Sequence, residues 1–264
     1  DMKQSMKTQV FAYRHPRCMI HVGALPLLFF GLGAVLPLHA QTPVIQSIVN
    51  GASFGSVIAS RSWITIRGTN LSSTTRVWSQ TDFQGDRLPL SLDGVSVQIN
   101  GKPAPVYFVS PTQINALAPA DSATGSVSVV VMTSRGTSAA APANLQRYAP
   151  GLFTFSQQNG RYAAVVRPDG AYVGPSGLFG SAATSTPAAP GELVQLFGTG
   201  FGSTSPELDP LVVQTAPATL ASPNDLRVLI GGAQAAVEFA GVVSNGLTQL
   251  NIMIPSVSDG DQGI

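Results

Sequence analysis

A chain of 264 residues that is 44% hydrophobic and only 10% charged is long enough for one large or two ordinary domains and too apolar to be disordered. Its 14 Lys and Arg nearly balance its 13 Asp and Glu, so the charge balance supplies no basic surface for nucleic acid.

Residues 1–40 read as an export signal. Lys3, Lys7, Arg14 and Arg17 form a basic leader, Val22 to Leu38 is an apolar run, and Leu38-His39-Ala40 ends in a small residue suited to cleavage. A mature chain beginning near Gln41 is expected, with Met2, Met6 or Met19 as the start. The rival reading, a membrane anchor, is disfavoured because the run is short, contains Pro26 and Pro37, and has no basic stop-transfer cluster behind it. No membrane span is expected after cleavage, and the expected location is secreted or at the bacterial cell surface.

Cleavage would change the chemical inventory. His15, His21, His39 and Cys18 are the only histidines and cysteine, and all precede Gln41. From Gln41 onward ten Lys and Arg face twelve Asp and Glu, a net of −2, with Lys102 the only lysine. The mature chain would have no imidazole or thiol for acid–base, nucleophilic or zinc chemistry, so no cofactor or metal is expected and the chain reads as a non-enzyme.

The remainder is rich in Gly, Pro, Ser, Thr, Val and Ala, with short β-type runs between turn residues, the pattern of an all-β sandwich. In chain order the predicted strands are Ile45–Val49, Trp63–Arg67, Val95–Ile99, Ala104–Val109, Gln113–Leu117, Val127–Met132, Leu152–Phe155, Ala163–Val166, Leu193–Phe197, Leu226–Ile230, Ala235–Ala240 and Gln249–Ile254. Apolar and polar residues alternate in Trp63–Arg67 and Val95–Ile99, which places one face on a core and the other toward water. Asn100-Gly101 and Gly231-Gly232 tolerate positive φ and read as tight hairpins. Arg167-Pro168-Asp169-Gly170 closes another, and Gly68 and Gly198 read as turn glycines.

An internal repeat is the most specific feature. Ile64 to Leu71 matches Val194 to Phe201 at a separation of 130 residues, Val97 to Gly101 matches Val228 to Gly232, and Gln113 to Pro119 matches Gln249 to Pro255 at 136. Three ordered blocks with small drifts imply two copies of one unit, with the drift absorbed in loops.

The order Val49-Asn50-Gly51-Ala52-Ser53-Phe54, Gly68-Thr69-Asn70-Leu71, Pro111-Thr112-Gln113-Ile114-Asn115, Ala149-Pro150-Gly151-Leu152-Phe153-Thr154 and Gln249-Leu250-Asn251 resembles the Solibacter-type C-terminal domain family of secreted bacterial proteins, whose units resemble IPT/TIG immunoglobulin-like domains. The resemblance spans nearly all of residues 44–264. It implies two tandem immunoglobulin-like β-sandwiches and brings no catalytic residues to carry over. The expected organisation is a signal peptide at 1–40, a first sandwich at 44–147, a connecting β-hairpin segment at 148–190 and a second sandwich at 191–264. That second sandwich would lack one or two closing strands, because the counterparts of Val127–Met132 and of the segment through Ala141 are missing after Pro255. Either the product is truncated or a strand donor completes the sheet.

Candidate sites are few. Gln113 with Asn115, and Gln249 with Asn251, place two amides on one face of a strand. Amides can bind sugar hydroxyls, but the preferred reading is that they bond nearby loop backbones and fix the sandwich edge. Trp63 is expected in the first core. Trp78, in a polar loop, is the ligand-binding candidate, able to stack on a sugar or partner protein or else to plug the end of the sandwich. The Gly68-Thr69-Asn70 and Gly198–Gly202 loops lack the lysine and helix of a phosphate cradle. Glu192, Glu207, Asp209 and Glu238 are candidates for a glycosidase pair but read better as solvated surface charge. Ser258 to Gly263 begins like a calcium loop without its bidentate Glu. The leading functional reading is a surface module for adhesion, spacing or assembly, partnered by other surface proteins or polysaccharide. The alternative is a carbohydrate-binding accessory domain, and a carboxylate-dependent glycosidase ranks last.

Overall fold

The computed structural model describes residues 41–157 and 160–264; the expected signal peptide lies outside the described residues. In the first half the strands are β1 (Val44–Asn50), β2 (Val57–Ala59), β3 (Trp63–Thr69), β4 (Arg76–Val77), β5 (Ser91–Leu92), β6 (Val95–Ile99), β7 (Lys102–Ala104), β8 (Val106–Val109), β9 (Gln113–Leu117), β10 (Gly125–Thr133), β11 (Gly136–Thr137) and β12 (Ala141–Gln146). A front sheet has the order β1-β3-β9-β8-β4. A rear sheet has the order β2-β12-β10-β6-β5, with β7 added on β6 and β11 on β10.

Strict alternation builds the core. Ile64, Ile66, Ile114 and Ala116 of the front sheet meet Val97, Ile99, Val129, Val131 and Leu145 of the rear sheet, and all are buried. Each such branched side chain contributes roughly 1.5–3 kcal/mol by leaving water. This is an all-β, immunoglobulin-like sandwich. The Asn100-Gly101 turn, with φ of 51° and 74°, closes the β6–β7 hairpin between Ile99 and Lys102.

In the second half the strands are β13 (Gly151–Leu152), β14 (Thr154–Gln157), β15 (Gly160–Ala163), β16 (Val165–Val166), β17 (Tyr172–Val173), β18 (Ser185–Thr186), β19 (Leu193–Thr199), β20 (Thr204–Ser205), β21 (Ala218–Leu220), β22 (Val228–Ile230), β23 (Ala233–Ser244) and β24 (Leu247–Met253). One sheet runs β18-β17-β16-β19-β24-β23-β21-β20 with β13 on β19, while β22 pairs with β23. The Gly231-Gly232 turn, with φ of 56° and 83°, closes the β22–β23 hairpin. Among the described residues no helix is long and apolar enough to cross a membrane.

The duplication is visible in the pairing as well as in the letters. β19 pairs antiparallel with β24 as β3 does with β9. Each copy also carries a β-bulge at the same place. Register shifts between Val106 and Phe108 against Ala116 and Asn115, and between Val237 and Phe239 against Ile252 and Asn251. The extra residue is Tyr107 in the first copy and Glu238 in the second.

Several expectations need correction. Gly68 and Gly198 lie inside β3 and β19 and are not turn residues. A Cβ on Gly68 would overlap the Val44 carbonyl, and one on Gly198 would overlap the Gly151 carbonyl, so these glycines admit a neighbouring backbone. The turns that follow use Asn70, at φ 56°, and Gly200, at φ 84°. Residues 148–190 are not a separate connector, because β13 and β16 both pair with β19 and extend the second sheet. Trp63 is not in the first core. Ile64 and Ile66 take the core face of β3, so period-two alternation sends Trp63 to the opposite face. Finally, β23 is twelve residues long, well beyond the expected Ala235–Ala240, and turns into β24 at Asn245-Gly246, with Gly246 at φ 67°.

Candidate ligand-binding groove

The outer face of the front sheet meets the tip of the β23–β24 hairpin in a groove of about 320 Å³, lined by Trp63, Trp78, Tyr107, Asn115, Phe153 and Asn245 among others. Each wall has a local cause. β3 delivers Trp63 because its other face is core. The bulge at Tyr107 re-aims a side chain that a regular strand would have placed differently, and Tyr107 is 36% exposed.

Trp78, just past β4, is half-buried and packs against the first core. Its ring meets Trp63 at 5.9 Å, Phe83 at 5.2 Å and Tyr107 at 5.0 Å, all edge-to-face. Trp63 and Tyr107 lie 5.6 Å apart with tilted planes. Such contacts fix ring orientation and add about 0.5–1.5 kcal/mol per pair beyond area burial.

The loop carrying Trp78 is pinned by charge. Arg76 donates to both oxygens of Asp82 at 2.8 and 2.9 Å, and to Asp93 Oδ1 at 2.7 and 2.9 Å. The Arg76 guanidinium, joined by the Ser79 backbone N–H, holds the Asp82 carboxyl well below the usual carboxylate range. Asp93 is lowered by the same guanidinium and by the Thr74 hydroxyl. The pair of carboxylates in turn raises Arg76.

The opposite wall is held by the junction of the two halves. The Trp63 indole N–H donates to the Asn245 carbonyl at 2.9 Å, and the Trp63 backbone N–H donates to Thr199 Oγ1 at 2.9 Å. Asn245 Oδ1 accepts from Gln214 N at 2.8 Å and its Nδ2 donates to Val212 O at 2.7 Å, which ties the 209–214 loop to the hairpin tip. Asn50, 1% exposed, donates to Ala149 O at 2.8 Å and accepts from the backbone of Ala52 and Ser53. The Val49–Phe54 and Ala149–Thr154 motifs, far apart in sequence, are thus one joint.

The amides lie on the strand faces as expected but with different partners. Gln113 Nε2 donates to Asn115 Oδ1 at 2.9 Å, which also accepts from Thr65 Oγ1 at 3.2 Å, and Gln249 Nε2 donates to Asn251 Oδ1 at 2.7 Å. They bond each other and not loop backbones, because residues two apart on a strand bring their side chains together. Among the described residues the Asn115 NH₂, the Trp78 indole N–H and the Tyr107 hydroxyl have no protein hydrogen-bond partner. The groove therefore offers ring surface, three free N–H donors and one hydroxyl. Tyr107, Asn245 and Phe153 were missed in the sequence. Asn245-Gly246 between apolar runs was a readable hairpin signal, whereas nothing local marks Tyr107 as bulged.

The other candidates lie elsewhere. Glu192 is engaged by Arg167 and by the Ala189 N–H, which lower its carboxyl, Glu207 pairs with Arg61, and Asp209 lies 3.9 Å from Arg87. Glu238 is exposed on its bulge, and none of the four lines the groove. A polar cleft of about 530 Å³ includes Arg61, Lys102, Asp121, Arg147 and Glu207. Its Arg61 and Lys102 are paired with Glu207 and Asp121. In the calcium-like segment Asp261 accepts from the Tyr162 hydroxyl at 2.9 Å and Gln262 Nε2 donates to Ser258 O. Among the described residues no three His, Cys, Asp or Glu are placed to hold a metal ion.

Residues 43–155 match the family model of the IPT/TIG domain. That span takes in the whole first sandwich and the start of the second sheet. Among solved structures the chain is similar to an auxiliary nutrient binding protein from Bacteroides ovatus, at 17% identity over 48% of this chain and 27% of that one, with a TM-score of 0.26. It is also similar to the surface glycan-binding protein PbSGBP-B from Prevotella bryantii, at 11% identity over 85% of this chain and 39% of that one, with a TM-score of 0.27. A third is the plexin A4 extracellular region, at 12% identity over 81% and 15% of the two chains, with a TM-score of 0.29. The chain spans less than two fifths of the length of each. No curated protein matches it.

Proposed function

We propose that this chain is a non-enzymatic, exported β-sandwich module that binds carbohydrate in the groove between the front sheet and the β23–β24 hairpin. The observation that carries the reading is the pre-oriented cluster of Trp63, Trp78 and Tyr107 beside free N–H and hydroxyl groups, in a groove whose lining holds no carboxylate. A sugar ring has an apolar face for stacking and equatorial hydroxyls for amides, and a site built from rings and amides binds without activating water. Support for export is the basic leader and apolar run at 1–40, and support for the finer Solibacter-type kinship is the order of its five motifs.

Retention on immobilised plant and bacterial polysaccharides, compared for the full chain and for Trp78→Ala and Tyr107→Ala, tests the reading. Loss of retention in both variants with an unchanged melting temperature is expected for Tyr107→Ala, and a small drop in melting temperature for Trp78→Ala. Retention unchanged in Tyr107→Ala overturns the carbohydrate reading. The second reading, a spacer or adhesion module for other surface proteins, is favoured by the bonded joint of Asn50, Ala149, Trp63 and Thr199, which fixes the two halves to each other.

A further inference from the structure

The outer face of β3 continues past the groove. Period-two alternation puts Trp63, Thr65 and Arg67 on one face, and their partners on β9 are Leu117, Asn115 and Gln113 without a register shift. Trp63 and Thr65 line the groove, and Arg67 is the next outward residue, about 7 Å along the strand from Thr65. The groove lining itself carries no charged side chain.

Arg67 is held by a ring and not by a carboxylate. Its guanidinium carbon lies 5.3 Å from the centre of the Phe54 ring. Phe54 is 43% exposed and sits at φ 57°, a left-handed conformation that bulky side chains seldom adopt. The loop imposes it: Phe54 N donates to Asn50 O, Asn50 N donates to Gly55 O, and Asn50 Oδ1 accepts from Ser53 N. The same loop passes the groove at Gly51, whose N–H donates to Trp63 O at 2.8 Å. An over-determined backbone of this kind spends stability to place one side chain.

The charge around Arg67 is one-sided. None of the residues of β1, β3, β4, β8 and β9 is Asp or Glu. The other cation of that sheet, Arg76, is engaged by Asp82 and Asp93. Among the described residues the Arg67 guanidinium has no carboxylate and no hydrogen-bond acceptor. A guanidinium over a ring keeps its in-plane N–H groups for an anion, in a fork that suits carboxylate or sulfate oxygens. The repeated blocks align Arg67 with Phe197, so the shared frame does not require a cation there.

We propose that Arg67, seated on Phe54, is an anion subsite beside the groove, and that the glycan bound there is acidic. Its anionic group, a uronate carboxylate or a sulfate ester, belongs to a unit next to the one stacked on Trp63 and Tyr107. The ligand is therefore an oligosaccharide segment laid along β3, since Trp63 and Arg67 are about 13 Å apart along the strand. This inference rests on the carbohydrate reading of the groove and names its substrate class.

The test measures affinity electrophoresis of the full chain at low ionic strength in gels carrying polygalacturonate, its carboxyl-reduced form, carrageenan or desulfated carrageenan. At least one acidic polymer is expected to bind about tenfold or more tighter than its neutral form, with a preference that fades as salt is raised. The pair that shows the preference identifies the anion. Arg67→Gln is expected to abolish the preference, and Arg67→Lys, which keeps the charge without the fork, to restore part of it. Removing both Arg67 and the anionic groups should cost no more than removing either one. Acidic and neutral forms bound equally, with retention still lost in Tyr107→Ala, overturn the acidic class and leave the groove reading standing. A preference for acid that survives in Arg67→Gln overturns the subsite. Retention on none of the polymers overturns the acidic class, and the groove reading then falls only if neutral polysaccharides also fail to bind.

Discussion

The two halves share one frame and differ in what the frame carries. The same bulge, opposite the matching asparagines Asn115 and Asn251, holds Tyr107 in the first copy and Glu238 in the second. The position before the matching core strand is Trp63 in one and Leu193 in the other. The two copies share backbone devices because pairing register enforces them, while the side chains on the outer face are free to differ. The rear strands also differ in their pairing: β6 lies between β5 and β10 with β7 added to it, whereas among the described residues β22 pairs with β23. A bonded frame can therefore be present in both halves while the aromatic outer face belongs to one.

The largest expected effect breaks the comparison at the cores. Ile99→Ala should cost about 2–5 kcal/mol in urea unfolding, because β10 and the front sheet hold the cavity open. Ile230→Ala should cost less than that, since Ile230 keeps 6% exposure against 1% for Ile99; equal costs would mean that this difference in packing has no energetic weight. Next, Tyr107→Glu places the second copy's bulge residue in the first. It should weaken polysaccharide retention about tenfold or more while leaving the fold intact, and unchanged retention would separate the bulge from binding. Asn50→Ala leaves the Ala149 carbonyl and two N–H groups without their side-chain partner, at a cost of about 1–3 kcal/mol. Limited proteolysis near residues 148–152 should accelerate in that variant, whereas an unaltered cleavage rate would show that the joint is held by other contacts.

The smallest effect sharpens the electrostatic contrast. Asp82 and Asp93 have folded carboxyls lowered by Arg76, so their contribution is present above the ordinary Asp value of 3.8 and is lost as pH falls toward the lowered folded values. Acid melts of Arg76→Gln should therefore lose less stability below pH 3.8 than the parent chain. Both ion pairs are only partly covered and remain screened by solvent, so the change should be small. Tryptophan fluorescence at neutral pH should shift in the same variant as the Trp78 loop loosens.

Much of the frame was legible because short-range rules fix it. The alternation in Val95–Ile99, the Asn100-Gly101 and Gly231-Gly232 hairpins and the three repeated blocks follow from period-two side chains and from positive φ, which need no distant information. Gly68 and Gly198 were misread for an instructive reason: a glycine that admits a neighbouring backbone carries the same letter as one that makes a turn. Trp63 was misassigned although its strand was found, because choosing the core face needed the phase of Ile64 and Ile66 and not hydrophobicity alone.

What the sequence by itself determined is the β class, the duplication and the lack of imidazole and thiol after residue 40, since composition, periodicity and repetition are properties of neighbouring or matching letters. Only the tertiary structure decided that Trp63, Trp78, Tyr107 and Asn245 share one groove. Tyr107 turns outward through a bulge defined by its partner strand, and Asn245 reaches Trp63 across 182 residues of chain. Both depend on long-range pairing register, which no local stretch of the sequence encodes.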